Sequence, residues 1–392
     1  ADTTITSEYI LLNHFLGEIN DDVENKLANY LRRNQSQDGG WPLFPGGDFN
    51  ISASVKAYFA LKLVGDHVDM PHMQRAREAI LVHGGAVNCN VFTRITLALF
   101  RQVPWRAAPV SRVEIMLAPN WFPIHINKVS YWTRSVTVPL LILTAYKPAA
   151  KNPRGVDIDE LFHKPPYNEN YRLTNPTGKW IGSLMLAMDR LLRPLEVLIP
   201  KVVTRKAVAK ALKFMEERLN GEDGLGGIFP AMANSLMVFS CLDYNKDDPR
   251  IVSARRAINR LLVVEKDEAY CQPCLSPVWD TGLATHAILE ANNGNSGILK
   301  QSCDWLRNLQ IVDVIGDWAH RRKGLKPGGW AFQYHNDYYP DVDDTAVVAM
   351  ALHRQDSKKF AEAVCLAENW IIGMQSSNGG WAAFDVENEY YL

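Results

Sequence analysis

Three carboxylates fall within four residues at Asp341-Val342-Asp343-Asp344, directly ahead of the apolar run Val347, Val348, Ala349, Met350, Ala351 and Leu352. Carboxyl groups crowded beside residues that seek burial cannot all ionise cheaply, so at least one is expected to keep its proton near neutral pH. Pro340 disfavours helix before the cluster and Thr345 to Leu352 favours helix after it, so the four residues lie where an extended segment turns into a helix. Alternation along the extended part then puts Asp341 and Asp343 on one side. One would hold the proton while the other orients it, and the helix N-terminus would favour the conjugate base after transfer. That is the chemistry of a general acid acting on a poor base. Two other readings stay open at this point: simple helix capping, for which Asp is a preferred residue, and a magnesium site, for which no second Asp-Asp-x-x-Asp motif is present.

The neighbours of the cluster are aromatic. Trp330, Phe332, Tyr334, Tyr338 and Tyr339 precede it, and Trp381 and Phe384 follow it. Aromatic faces stabilise a carbocation without attacking it as a nucleophile would. An acid in such a chamber suits protonation of a hydrocarbon, with ordinary core packing as the competing account of the rings.

Internal repeats indicate the elements that must position this site. Residues 26 to 41 (KLANYLRRNQSQDGGW) and 363 to 381 (AVCLAENWIIGMQSSNGGW) share one plan: an amphipathic helix, a Gln, a polar turn and Gly-Gly-Trp. Residues 300 to 318 read as a third copy that keeps Gln310 and ends in Gly-Asp-Trp318, and residues 210 to 227 as a degenerate one without Gln or Trp. The aromatics Tyr30, Trp305 and Trp370 lie on the buried stripe, the Gln can pair with orphan backbone groups, and the Trp covers a helix end. Such units bury little alone and must stack as paired helices in a toroid or solenoid. Further helical patterns cover 54 to 64, 91 to 100 and 278 to 290, and strand-like alternation is scarce. The expectation is an all-α fold. The segment from Lys147 to Lys179, rich in Pro, Asn and Lys, reads as a surface excursion.

Composition narrows the setting. In 392 residues, 42 basic side chains face 43 acidic ones, so the overall charge gives no reason to expect a nucleic-acid partner. Six scattered cysteines, including the lone pair Cys271 and Cys274, favour a reducing compartment over a disulfide scaffold, and no metal site is apparent. No apolar run has the length of a spanning helix. Residues 190 to 213, however, combine an apolar face with Arg190, Arg193, Lys201, Arg205, Lys206 and Lys210, which suits insertion into one leaflet beside anionic headgroups, or else a plain surface helix interrupted by Pro194 and Pro200. A peripheral, monotopic protein on the cytoplasmic side is the resulting expectation.

At this point the residues resemble a known family, the squalene-hopene cyclases, which are bacterial class II triterpene cyclases. The resemblance rests on the Asp-Val-Asp-Asp-Thr-Ala segment 341 to 346, the Gln-to-Trp repeats, and the stretches SPVWDTGLA (276 to 284), KPGGWAFQ (326 to 333) and YYPDVDDTAVV (338 to 348), and it runs along essentially the whole chain. It implies a pair of α/α barrels, with residues 1–274 as the inserted barrel and 275–392 as the first part of the catalytic one. It also implies that the family's chains continue past Leu392, with a His that supports the acid and further aromatics. Residue by residue, it implies Asp343 as proton donor with Asp341 and Asp344 as partners, Trp279, Phe332 and Phe384 as cavity aromatics, and Glu8 in the distal pocket. Phe384 stands where bacterial members often have Tyr, while Lys56, Asn90 and Phe229 stand where Glu, Arg and Gln are expected near the terminating end. The Asp set separates the chain from oxidosqualene cyclases, because an alkene is harder to protonate than an epoxide is to open. The implied substrate is squalene or a related linear polyprene taken from a membrane leaflet, with no nucleotide, flavin or metal cofactor, and with room for a homodimer. The alternatives are a class II cyclase for another polyprenoid, such as a diterpene diphosphate, and a non-catalytic membrane-associated α-toroid fragment.

Overall fold

Polar side chains fix where many of the helices begin. Asn20, Asn50, Asn90, Asp248 and Asp341 each accept a backbone N–H from the first turn that follows, which satisfies donors with no partner inside the helix. The computed structural model describes residues 3–109, 111–122, 125–171, 199–291 and 297–387, together with 178, 180, 183 and 187. Its helices are α1 (Thr3–Leu16), α2 (Asp21–Arg33), α3 (Ile51–Val64), α4 (Pro71–Val82), α5 (Val91–Leu99) and α6 (Tyr131–Tyr146). They continue as α7 (Lys201–Glu217), α8 (Phe229–Cys241), α9 (Pro249–Arg260), α10 (Pro277–Glu290), α11 (Gly297–Asn308), α12 (Val342–Asp356) and α13 (Ala361–Gly373). Helices pack as neighbours, α1 on α3, α6 on α8, and α10 and α13 on α12. The fold is all-α, an α/α toroid of stacked helix pairs. Strand is confined, among the described residues, to a short antiparallel hairpin that pairs 262–264 with 269–271.

The repeats act through three recurring hydrogen bonds. Gln35 Nε2 donates to Gly39 O and His72 O, Gln310 Nε2 to Gly328 O and Ala363 O, and Gln375 Nε2 to Gly379 O. The Trp indole then donates back to a carbonyl of its own helix: Trp41 to Leu31, Trp330 to Leu306, Trp381 to Ile371. The partner of Gln310 is therefore Gly328-Gly329-Trp330 and not Trp318, because an inserted segment separates the Gln from its turn. Trp318 instead sits edge-on against Trp370, with ring centroids 6.0 Å apart. In the degenerate copy Asn220 takes over the glutamine's task, donating to Gly224 O and to Asn336 Oδ1. Of the aromatics placed on the buried stripe, Tyr30 and Trp370 are buried and Trp305 is half-buried.

The largest buried apolar cluster runs from Ile5 to Cys271, and two smaller ones draw on Val278 to Ala367 and on Trp318 to Val386. Arg218, after α7, ties the first to the others through a largely buried ion pair with Asp317. The segment from Lys147 is less of an excursion than its composition implied. Ala150, Lys151 and Asn152 donate to Leu99, Phe15 and His14 carbonyls, and Ile158 and Leu161 are buried. Residues 190 to 198 lie outside the described residues. Among those described, no helix is long and apolar enough to cross a membrane.

Candidate active site

The acid turn is built on a repeat position. In the first repeat Trp41 N donates to Ser54 Oγ (2.9 Å) and Asn50 caps α3; in the second Trp330 N donates to Thr345 Oγ1 (2.9 Å) and Asp341 caps α12. Asn50-Ile-Ser-Ala-Ser54 and Asp341-Val-Asp-Asp-Thr345 thus occupy equivalent places, and the acid replaces an ordinary cap. A side chain at Gly329 would collide with Thr345 Oγ1 at 2.8 Å, so the glycine lets the hydroxyl reach the Trp330 amide. Asp341 N donates to Trp330 O (3.0 Å) and Val342 N to Ala383 O (2.8 Å), which ties the turn to the chain on both sides.

Helix capping and a crowd of buried carboxyl groups coexist here. Asp341 Oδ1 accepts the Asp344 amide at 2.7 Å, while Asp341 Oδ2 and Asp344 Oδ1 are buried without a hydrogen-bond partner. Both residues are 2% exposed. Burial first, and then the Asp344 charge, push the Asp341 carboxyl well above the usual carboxylate range, and burial followed by the Asp343 charge raises Asp344 as well. The pair in contact is Asp341 with Asp344, not Asp341 with Asp343. The helix starts at Val342, so three-residue spacing replaces strand alternation and leaves Asp343 exposed into the pocket.

That pocket holds about 280 Å³ and is lined by Asp341, Asp343, Asp344, Trp279, Phe332 and Phe384, with Trp132, Gln333 and Ala383. The structure therefore brings together six of the seven residues singled out from the sequence. Glu8 lies in a second cavity, of about 310 Å³, together with Lys56, Asn90 and Phe229. Trp132 and Gln333 were missed. Trp132 comes from α6, stacks on Phe384 at 5.3 Å and 10°, and donates its indole N–H to Gly226 O at 3.2 Å. No local signal near residue 132 points to a chamber more than 200 residues further along the chain. Gln333 is held where the loop before α8 passes it closely at Gly227, whose φ is +66° and where an added Cβ would lie only 2.4 Å from Gln333 Cδ. Of the aromatics that flank the acid in sequence, Tyr339 hydrogen-bonds Asp317, Trp330 serves the repeat, and Tyr334 and Trp381 are partly exposed. Among the described residues, no three His, Cys, Asp or Glu side chains converge to hold a metal ion.

Family models for the squalene-hopene cyclase N-terminal domain and C-terminal domain match residues 1–267 and 275–392 of this chain. The chain is 53% identical to the squalene-hopene cyclase of Bradyrhizobium diazoefficiens, covering 100% of this chain and 61% of that protein. It is 51% identical to that of Zymomonas mobilis, with the same two shares, and 37% identical to that of Alicyclobacillus acidocaldarius over 99% of this chain and 61% of the relative. The chain thus spans about three fifths of the length of these curated relatives.

Proposed function

The chain belongs to the squalene-hopene cyclase family, and we propose from that premise that its acidic pocket starts the cyclisation of squalene or a related linear polyprene by protonating a terminal alkene. One observation carries the reading: a buried pair of carboxyl groups, Asp341 and Asp344, both pushed towards the protonated form by burial and by a neighbouring carboxylate charge, sits beside an exposed third, Asp343, in a cavity walled by Trp132, Trp279, Phe332 and Phe384. We assign delivery of the proton to Asp343, the one carboxyl of the three that is exposed into the cavity, and we assign storage of the proton beside it to Asp341 and Asp344. After transfer, the negative charge rests in the first turn of α12, where unpaired N–H groups and the helix dipole favour it. The ring faces then stabilise the cation at about 0.5 to 2 kcal/mol each without trapping it.

Residues 1–274 and 275–392 are proposed as the inserted barrel and the beginning of the catalytic barrel. The division is supported by the separation of the large buried cluster from the two smaller ones. Attachment to one membrane leaflet is supported by the start of α7, where exposed Val202 and Val203 alternate with Lys201, Arg205 and Lys206. The neighbouring segment adds exposed Leu117, Trp121 and Phe122. The test is incubation of the complete protein containing this chain with squalene, followed by product analysis. Cyclic triterpene is expected from the wild type, with a loss of at least about 10²-fold in Asp343→Asn. Full turnover by that variant would remove the assignment.

A further inference from the structure

Two backbone carbonyls beside the acid pocket fix the direction of a chain of side-chain amides. A carbonyl only accepts, so an amide side chain bonded to it must present its NH2 end. Asn220 Nδ2 donates to Gly224 O at 3.2 Å and, with its other hydrogen, to Asn336 Oδ1 at 2.7 Å. Asn336 Nδ2 then faces the other way and donates to Gly226 O at 3.4 Å and to Gln333 Oε1 at 3.0 Å. The two ends of this relay agree, because Gly224 O and Gly226 O demand the same direction.

The relay ends in the wall of the chamber. Gln333 lines the acid pocket, while Asn336, fully buried, is not among its walls. Gly226 O also accepts the Trp132 indole N–H at 3.2 Å, and Trp132 stacks on Phe384. Helix α6 presses on the same glycine: a Cβ added at Gly226 would lie 2.5 Å from Ser135 Oγ, and that hydroxyl donates to Trp132 O. His335 N donates to Asp223 Oδ2 at 2.6 Å and Tyr339 N to Asn336 O at 2.8 Å, which docks the segment ahead of the acid turn onto the 220–227 loop.

We propose that Asn336 is a positioning residue of the cyclisation chamber: it turns the Gln333 carbonyl oxygen out of the chamber and holds the carbonyl that seats Trp132. The proposal deepens the reading of the acid pocket and rests on it. A carbocation reacts with a lone pair that reaches it, whereas an aromatic face stabilises it and leaves it free to react onward. With Oε1 bonded to Asn336, the end of the Gln333 amide left towards the chamber is NH2, which carries no basic lone pair. At this point the wall offers the cation ring faces and no acceptor oxygen.

Asn336→Asp tests this in the complete protein containing this chain. The aspartate keeps the shape and still accepts from Asn220, but its second oxygen cannot donate, so the Gln333 amide must turn over and carry its carbonyl into the chamber. The variant is expected to keep KM for squalene within about twofold while kcat falls about tenfold or more, the scale of one misplaced hydrogen-bonding group. Its products should carry fewer rings than those of the wild type. Unchanged kcat and ring number would overturn the assignment. A second measurement needs no turnover and decides the matter even if Asn336→Asp does not fold. Among the described residues, Asn220 and Gln333 are joined through Asn336 and not directly. Gln333→Glu can still accept from Asn336 Nδ2, and Asn220→Asp can be met by an Asn336 amide turned over, but together they ask for NH2 at both ends of one amide. In urea unfolding the double variant should be disfavoured about tenfold or more beyond the combined single effects. That coupling should vanish in the Asn336→Ala background, where plain repulsion between the two carboxylates would persist. Additive effects, or a coupling that survives Asn336→Ala, would overturn the relay. A wild type that forms no cyclic product would remove the cyclase reading instead, and the coupling alone then decides the placement of Asn336.

Discussion

Replacing Asp341 by Asn should change how the stability of the protein depends on pH. In the native state Asp341 is 2% exposed and its carboxyl is pushed far up by burial and by Asp344. Unfolded, it titrates near the ordinary value of about 3.9. Between those two values the native state holds a proton that the unfolded state has lost. Stability from this group is fully present below pH 4 and drains away as pH rises towards the native value, by about 1.4 kcal/mol per pH unit for one proton. From pH 5 to pH 7 the wild type should lose about 3 kcal/mol on this account. Asparagine keeps an oxygen for the Asp344 amide, which Asp341 now accepts at 2.7 Å, and it cannot ionise. The variant should therefore match the wild type below pH 4 and gain on it steadily as the pH rises to 7, as read from urea unfolding followed by tryptophan fluorescence. Titrations elsewhere in the chain cancel in the difference. Parallel curves for the two proteins would refute the idea that the buried pair keeps its proton.

Other substitutions probe the frame around the acid. Gln310→Ala removes two hydrogen bonds, to Gly328 O and Ala363 O, that join α11 to the turn before Trp330 and to α13. A loss of about 1 to 3 kcal/mol is expected in urea, and an unchanged midpoint would mean that the repeat glutamine is ornamental. Arg218→Met strands Asp317 in a site where both partners are 9% exposed, and it should cost about 3 to 5 kcal/mol. A change below about 1 kcal/mol would show that this pair does not join the two regions of the chain.

Much of the frame can be read in the sequence because its signals are local. A helix, a Gln and Gly-Gly-Trp within a few residues specify the turn at 35 to 41 and again at 375 to 381, and both form as the spacing predicts. Where the inserted segment separates Gln310 from Gly328, Trp318 falls at a plausible spacing while the true partner lies further on, and only the folded chain distinguishes them. The acid cluster is legible as residue types beside Pro340. Which two carboxyls touch depends on the residue at which the helix begins, and a shift of one position exchanges Asp343 for Asp344 as the partner of Asp341. Trp132 and Gln333 enter the chamber by tertiary packing, the first through its stack on Phe384 and the second through the close pass of Gly227. The Glu8–Lys56 pair, 48 residues apart in sequence, becomes a pair only when α1 lies on α3.

The central claim is that a carboxyl proton of this turn adds to the substrate, and cyclisation in D₂O tests it most directly. An acid group that exchanges with solvent before each turnover delivers a deuteron to the terminal alkene. Each cyclic product from squalene should then carry one deuterium at the end where ring closure began, and Asp343→Asn should form no labelled product. Cyclic product without solvent deuterium, or labelled product formed equally well by Asp343→Asn, would contradict the account.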